Sequence, residues 1–270
     1  MKIIINGLGR IGKLVFRRLC DENLHKNILM VNEKAGSASD QEYFLRYDTV
    51  HGTWGDDLCF ENGCLNYKDH SIAVMTEGSI ESISFPKSEK FLVVDCTGVN
   101  KSEKLLEPYF ERKASYVLIS APIESSNVQN IVYGINHQSI DTSAYKIFTA
   151  ASCTTNCLAP IVKVLEENIG IKHGSITTIH NITNSQTIVD APKNNLRRSR
   201  SGINSLIPTT TGSARAISLI YPELKGRLNG HAVRVPLLNA SLTDCVFEMK
   251  QNVEVDKINQ LFNEASNTYL

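Results

Sequence analysis

The feature that most constrains the fold lies within the first twelve residues. An apolar run, Lys2–Asn6, reads as a buried strand and is followed at once by Gly7-Leu8-Gly9-Arg10-Ile11-Gly12. A helical pattern then covers Arg10–Cys20, with Ile11, Leu14, Val15 and Leu19 on one side. A GxGxxG turn between a strand and a helix suits a dinucleotide. Its glycines let the backbone turn tightly and approach a pyrophosphate, whose charge is favoured at the helix N-terminus. Glycines that merely serve a tight turn are the plain alternative. The next apolar run, Ile28–Asn32, ends beside Glu33, close to the spacing expected of an acid that binds the ribose. A carboxylate there repels a 2′-phosphate and so points to NAD over NADP, although the neighbouring Lys34 works against that preference.

The first half continues with apolar runs separated by helical stretches: Phe91–Cys96, then Lys101–Arg112, then Tyr116–Ser120. Such alternation argues for βαβ units and a parallel sheet. Between Tyr43 and Phe85 the runs shorten, and hairpin-like strands are expected. The texture changes after about Ala150. Thr154–Ile169 reads as a long helix, His173–His180 as a Thr- and Ile-rich strand, Ser213–Tyr221 as a helix, and His231–Pro236 and Ser241–Met249 as strands. Asn181–Ser205 is polar and has no period. Fewer crossover helices between longer strands suggest a mixed sheet. The predicted fold is therefore α/β: a Rossmann-type doubly wound parallel sheet over residues 1–150, and an α+β catalytic domain with a mixed sheet over residues 151–270.

Charge and cysteine content narrow the function. Lys+Arg and Asp+Glu balance at 28 each in 270 residues, so the whole chain lacks the basic footprint of a nucleic-acid binder. No apolar run approaches a membrane span, and no export signal precedes the first strand. Seven cysteines are scattered without zinc-type CxxC pairs, so no metal site is expected, and a cytoplasmic chain with reduced thiols is the simplest reading.

One cysteine stands apart. In Ala151-Ser152-Cys153-Thr154-Thr155-Asn156, Cys153 joins an apolar strand to the head of the long helix, where the helix dipole favours the reactive thiolate. Cys20, Cys59, Cys64, Cys96 and Cys245 fit the ordinary role of small buried hydrophobes, and Cys157, one turn beyond Cys153, reads as packing. His180 ends the following strand, but sequence physics alone does not pair it with Cys153.

The segments AASCTTNCLAP, TTIHNITNSQ, APKNNLRRSR, IPTTTGSA and GHAVRVP, with INGLGRIGKLVFR, YDTVHG, DCTGV and ISAP before them, resemble the glyceraldehyde-3-phosphate dehydrogenase family in order and spacing. The resemblance spans essentially the whole chain. It implies that Cys153 attacks an aldehyde carbon and that His180 holds a thiolate–imidazolium pair and takes the hydroxyl proton as hydride leaves for NAD. A thioester forms and phosphate releases it, which is covalent catalysis. By the same resemblance, Gly7, Gly9, Arg10 and Ile11 form the pyrophosphate loop. Glu33 stands for the usual ribose aspartate, and Thr97 and Ser120 line the adenine and nicotinamide side. Pro192 lies near a neighbouring subunit's NAD. Ser152, Thr154, Thr211 and Gly212 are implied for the attacking phosphate, and Thr183 and Arg234 for the phosphate of the substrate. Arg197, Arg198 and Arg200 form a basic knot whose plain alternative is a solvated charge run.

Family members are expected to continue for several dozen residues beyond Leu270, through an NEWGY-type motif that holds the nicotinamide amide. Their absence here implies looser nicotinamide orientation in this chain. Closed homotetramers are the family's usual assembly. Asn32-Glu33-Lys34-Ala35-Gly36 departs from the commoner wording and resembles a bacterial subgroup linked to arsenate resistance, in which arsenate takes the place of phosphate and a 1-arseno-3-phosphoglycerate forms. Oxidation of erythrose 4-phosphate, or an inactive remnant that binds dinucleotide or RNA, are the other readings left open.

Overall fold

The computed structural model describes residues 1–86 and 90–270. The chain forms two compact units, residues 1–130 with 140–150, and residues 131–139 with 151–270.

The first unit is built on a nine-stranded sheet. Its elements are β1 (Lys2–Asn6), α1 (Arg10–Asp21), β2 (Ile28–Asn32), α2 (Asp40–Arg46), a two-stranded ribbon of β3 (Tyr47–Asp48) and β4 (Gly52–Thr53), β5 (Leu58–Glu61), β6 (Cys64–Tyr67) and β7 (His70–Met75). They continue with β8 (Phe91–Asp95), α3 (Glu103–Glu111), β9 (Ala114–Ile119), β10 (Val128–Asn130) and β11 (Ile147–Thr149). The spatial order is β10-β11-β9-β8-β1-β2-β7-β6-β5. All pairs from β10 to β7 are parallel, and only the hairpin strands β5 and β6 add an antiparallel edge. Strand order reverses between β1 and β8, and crevices at such switch points are where open α/β sheets bind ligands.

The unbroken apolar runs follow from burial on both faces. Ile4 and Met30 pack with Phe91, Val93 and Val117 on one side, while Ile5, Ile28 and Val31 pack with Phe16 and Leu45 on the other. The helix face corrects one sequence expectation. Gly12, Phe16 and Cys20 form the buried stripe of α1, Leu14, Val15 and Leu19 are only partly covered, and Ile11 is exposed. Gly12 sets this rotation, because a Cβ there would meet the Gly7 carbonyl oxygen at 1.7 Å.

The second unit carries α4 (Cys153–Asn168), β12 (Ile171–Asn181), β13 (Ile207–Thr210), α5 (Ser213–Ile220), β14 (Leu228–Val235), β15 (Ser241–Met249) and α6 (Val255–Ser266). Its sheet has the order β13-β14-β12-β15 and is mixed, with β12 parallel to β14 and antiparallel to β15. Leu158, Val162 and Leu165 of α4 pack on Ile171 and Ile176 of β12, with Ile217 of α5 and Leu261 of α6 closing the same core. The opposite pleat leaves Ile179, Leu242 and Val246 exposed. Helix α4 ends where Gly170, at φ +83°, turns the chain into β12. Strand β13 went unread in the sequence, since Ile207-Pro208-Thr209-Thr210 is short and carries a proline. No helix of the described residues is long and apolar enough to cross a membrane.

Candidate functional site

In the first unit, Gly7 leaves β1 at φ +90° and its N–H donates to the Asn32 carbonyl oxygen at 2.7 Å. A Cβ on Gly7 would meet the backbone nitrogen of Thr97 at 2.8 Å, so the turn between β1 and β8 admits no side chain. Gly9 caps α1, and a Cβ there would meet nothing within 4 Å. Space over Gly9, together with first-turn amides that have no intrahelical acceptor, is what a pyrophosphate needs. Arg10 and Ile11 open this helix and are exposed. The residues present therefore fit a dinucleotide on geometric grounds.

Glu33 is drawn to this loop. Its carboxylate accepts from the Leu8 N–H at 2.7 Å and from the Ala35 N–H at 3.0 Å. The carboxylate thereby stands at the carboxyl end of β2, beside the glycine turn.

Beneath the loop lies a buried polar network that sequence reading did not find. Asp95, fully buried at the end of β8, accepts from the Thr97 N–H at 2.9 Å and its hydroxyl at 2.6 Å. It also accepts from Asn100 Nδ2 at 2.7 Å and from the Tyr109 hydroxyl at 2.8 Å. Asn6 Nδ2 donates to the Tyr109 oxygen at 2.5 Å, and Asn32 Nδ2 donates to Asn6 Oδ1 at 2.8 Å. The ends of β1, β2 and β8 are thus tied by charge-assisted bonds. The Ser120 N–H donates to the Asp95 carbonyl oxygen at 3.0 Å, which places Ser120 and Thr97 on the same edge. Burial pushes the Tyr109 hydroxyl well above its usual range and the Cys96 thiol up to about 12. An aspartate closing an apolar strand was the available signal.

In the second unit the chain turns sharply before α4. Ala151 sits at φ +54°, a left-handed conformation that costs a non-glycine residue about 1–3 kcal/mol. Ser152 is the N-cap. Its Oγ accepts from the Thr155 N–H at 3.1 Å, and such a cap is worth about 1 kcal/mol. Cys153 follows at the first helical position and is exposed.

His180 arrives from β12, on the pleat that also carries the buried Ile176 and Thr178 toward α4. Its Nε2 lies 3.2 Å from Cys153 Sγ. The pairing left open by spacing is therefore made by tertiary structure. Foremost the hydrogen bond to His180, then its charge and the side chain and N–H of Thr154, lower the Cys153 thiol from about 9 to about 7, against the opposing effect of burial. Burial instead raises Cys20 to about 12 and Cys245 to about 11. Cys59 is exposed, contrary to the buried role expected of it, because it lies on the pleat of β5 opposite the buried Leu58.

Parallel register places Arg234 of β14 opposite His180. Arg234 Nη1 lies 2.6 Å from His180 Nδ1 and 3.0 Å from the Asn181 carbonyl oxygen, while that oxygen is itself 2.8 Å from Nδ1. Arg234 Nε is buried with no hydrogen-bond partner. Thr183, just past β12, donates its N–H to Gln186 Oε1 at 3.0 Å, and Gln186 Nε2 is a second buried donor with no partner.

The cap of α4 also meets that of α5. Ser152 Oγ is 3.4 Å from Ser213 Oγ, which accepts from the Thr211 hydroxyl at 3.0 Å. Gly212 caps α5, and a Cβ on it would meet nothing within 4 Å. Two helix N-termini thus converge through Ser152, Ser213 and Thr211, with Thr154 buried behind them. Convergent helix N-termini favour an anion. Ser213, the first residue of α5, was missed in the sequence, although Thr211-Gly212-Ser213 at a predicted helix start is a readable signal of a helix N-terminus.

The basic knot separates. Arg198 turns inward and donates from Nη2 to Thr209 Oγ1 at 2.9 Å, whereas Arg200 pairs with Asp190 at 2.5 Å. Pro192 is exposed in the same stretch. Among the described residues no cluster of His, Cys, Asp or Glu is arranged to hold a metal ion.

Residues 1–103 match the glyceraldehyde 3-phosphate dehydrogenase NAD binding domain, and residues 152–270 match the glyceraldehyde 3-phosphate dehydrogenase C-terminal domain. The chain is 46% identical to glyceraldehyde-3-phosphate dehydrogenase 3 of Nostoc sp., over 98% of this chain and 78% of that protein. It is 39% identical to glyceraldehyde-3-phosphate dehydrogenase 1 of Bacillus cereus and 39% identical to the Geobacillus stearothermophilus enzyme, each over 98% of this chain and 78% of the relative.

Proposed function

This chain belongs to the glyceraldehyde-3-phosphate dehydrogenase family, and from that premise we propose that it oxidises D-glyceraldehyde 3-phosphate with NAD and phosphate to 1,3-bisphosphoglycerate through a thioester on Cys153. The observation that carries the mechanism is Cys153 Sγ at 3.2 Å from His180 Nε2, at the N-terminus of α4.

At neutral pH a thiol lowered to about 7 is substantially ionised. The thiolate attacks the aldehyde carbon, a C–S bond forms and the carbonyl π bond becomes an oxyanion that takes a proton. First-turn amides of α4, which begins at Cys153, are the backbone donors available to stabilise it. His180 then removes the hydroxyl proton as the C–H electron pair leaves. NAD supplies the hydride acceptor, held by Gly7, Gly9, Arg10 and Ile11 at its pyrophosphate, by Glu33 at its ribose, and by the edge carrying Thr97 and Ser120. Phosphate at Ser152, Thr154, Thr211 and Gly212 attacks the thioester carbon, the C–S bond breaks, and the acyl phosphate leaves with the thiolate restored. Thr183 and Arg234 hold the phosphate of the substrate. The unpartnered Arg234 Nε and Gln186 Nε2 are the donors an anion there would satisfy.

The first unit is the NAD-binding domain and the second the catalytic domain. Arsenate matches phosphate in charge and shape, so the same donors serve it, and the wording around Glu33 supports a role in arsenate resistance. The exposed Ile179, Leu242 and Val246 support burial against another copy in a homotetramer, with Pro192 near a neighbour's NAD. The scattered reduced cysteines support a cytoplasmic setting.

The test is NADH formation from glyceraldehyde 3-phosphate with phosphate, beside the Cys153→Ser variant. Turnover by the wild type and none by the variant is the expected result. Turnover that survives the substitution would sink the thioester mechanism. Faster NADH formation with arsenate, measured in the same assay, would support the resistance role.

A further inference from the structure

Gln186 closes a turn on Thr183. Its N–H donates to the Thr183 carbonyl oxygen at 2.9 Å. Its side chain folds back, so that Oε1 accepts from the Thr183 N–H at 3.0 Å and from the Thr183 hydroxyl at 3.2 Å. A backbone N–H can only donate, which fixes the end of the carboxamide that faces Thr183. The reversed amide would set Nε2 against that N–H. Nε2 is therefore turned the other way, where it is buried without a partner. Buried donors ordinarily find acceptors, so the fold gives up one bond to keep Oε1 on Thr183.

The Thr183 hydroxyl has one hydrogen and two neighbours, Gln186 Oε1 and Ser185 Oγ, the latter at 3.0 Å. A phosphate oxygen arriving beside it needs that hydrogen. When the hydroxyl turns to give it, Oε1 still holds the Thr183 N–H, and Ser185 can donate to the oxygen left behind. Gln186 thus fixes the backbone of Thr183 in both states and leaves its hydroxyl free to rotate.

The turn is held from two sides. A Cβ on Gly202 would meet Gln186 Cβ and Ile182 Cγ2 at 3.1 Å each, so the later stretch packs directly on the turn. The Gly202 N–H donates to the Thr187 carbonyl oxygen at 2.8 Å, next to a bridge between Thr187 and Ser201. On the other side the Ile182 N–H donates to the Leu237 carbonyl oxygen at 3.1 Å, and Arg234 Nη1 to that of Asn181 at 3.0 Å. The segment that carries Thr183 is thereby tied to the segment that carries Arg234.

We propose that Gln186 is a positioning residue for the phosphate of the substrate: it holds Thr183 so that the threonine hydroxyl and the Arg234 guanidinium meet one phosphate group. This deepens the proposed reaction and rests on the assignment of Thr183 and Arg234 to that phosphate.

The experiment measures glycerol 3-phosphate binding by calorimetry to the wild type, Gln186→Met and Arg234→Met, with glycerol as the unphosphorylated control. Methionine fills the space of glutamine beside Gly202 but cannot accept from Thr183. Gln186→Met is expected to weaken glycerol 3-phosphate about tenfold, the effect of one misplaced hydrogen bond to an anion, and to leave NAD affinity as it was. Unchanged glycerol 3-phosphate affinity would overturn the proposal. Kinetics give a second readout. The loss in kcat/KM should lie in KM and be several-fold larger on glyceraldehyde 3-phosphate than on glyceraldehyde, whereas equal losses would mark a merely structural role and overturn it. Coupling gives a third. In a Thr183→Val background the added Gln186→Met change should cost less than about twofold in affinity, because the hydroxyl it positions is gone. A further tenfold loss there would show that Gln186 does not act through Thr183. Loss of affinity in Arg234→Met with none in Gln186→Met sinks this proposal alone. Loss in neither variant sinks the assignment of the phosphate site on which it rests.

Discussion

At the carboxyl ends of β1, β2 and β8 the polar groups are paired with one another; at the ends of β12 and β14 several are left over. Asp95 accepts four bonds, and Asn6, Asn32 and Tyr109 complete a closed network beneath the glycine turn. By contrast, His180 Nδ1 lies between a donor and an acceptor, and Arg234 Nε and Gln186 Nε2 have no partner. A fully satisfied network is stiff and holds backbone amides in fixed positions, as suits binding. Leftover donors and a contested proton suit chemistry, because charge must move during turnover. The two strand-end sites therefore divide rigidity from reactivity.

The comparison predicts that substitutions in the second unit lower turnover while sparing cofactor affinity, and that those in the first do the reverse. His180→Asn carries the largest expected effect. Loss of a general base should lower kcat by about 10²–10⁴-fold. Without its hydrogen bond the thiol should also return from about 7 toward about 9, so alkylation at neutral pH slows; an unshifted midpoint would break the pairing.

In the first unit, Gly7→Ala forces a Cβ against the Thr97 backbone at φ +90°. Strain of about 1–3 kcal/mol follows, and NAD affinity should fall roughly 10-fold or more by fluorescence titration. Unchanged affinity would remove the turn from the cofactor site.

Tyr109→Phe deletes a hydroxyl that links Asn6 to Asp95 and leaves a buried acceptor short of a donor. Urea unfolding should show a loss of about 1–3 kcal/mol, with Cys153 alkylation unaltered. If alkylation changed as well, the two units would not be independent in this respect.

The smallest effect is expected from Glu33→Ala. Removing the carboxylate beside Leu8 should narrow the preference for NAD over NADP by roughly fivefold. An identical cofactor ratio would leave Glu33 with only its structural bonds to the Leu8 and Ala35 amides.

Much of the first unit was legible because its signals are local. A strand buried on both faces is a continuous apolar run, and β1 and β2 appear over the same residues in sequence and structure. GxGxxG announces its turn because only glycine tolerates the close contacts at Gly7 and Gly12. The facing of α1 was misread, since close packing of Gly12, rather than hydrophobicity, sets its rotation. In the second unit, Cys153 could be picked out by its place at a helix start, and its motif resemblance pointed to His180. Arg198 could not be told from Arg197 and Arg200, because adjacent residues in a loop without period carry no signal of direction.

Sequence alone determined the alternation of strands and helices, the glycine turn, the acid after β2 and the cysteine at the head of α4, all properties of contiguous residues. Only tertiary structure decided that His180 Nε2 meets Cys153, that Arg234 meets Nδ1, and that the Ser152 cap of α4 meets Ser213 in the first turn of α5. These depend on strand register and on how helices pack across a mixed sheet. One residue of slip would turn His180 to the opposite face. Proton positions and anion sites are set by such long-range contacts, which leave no periodic trace in the chain.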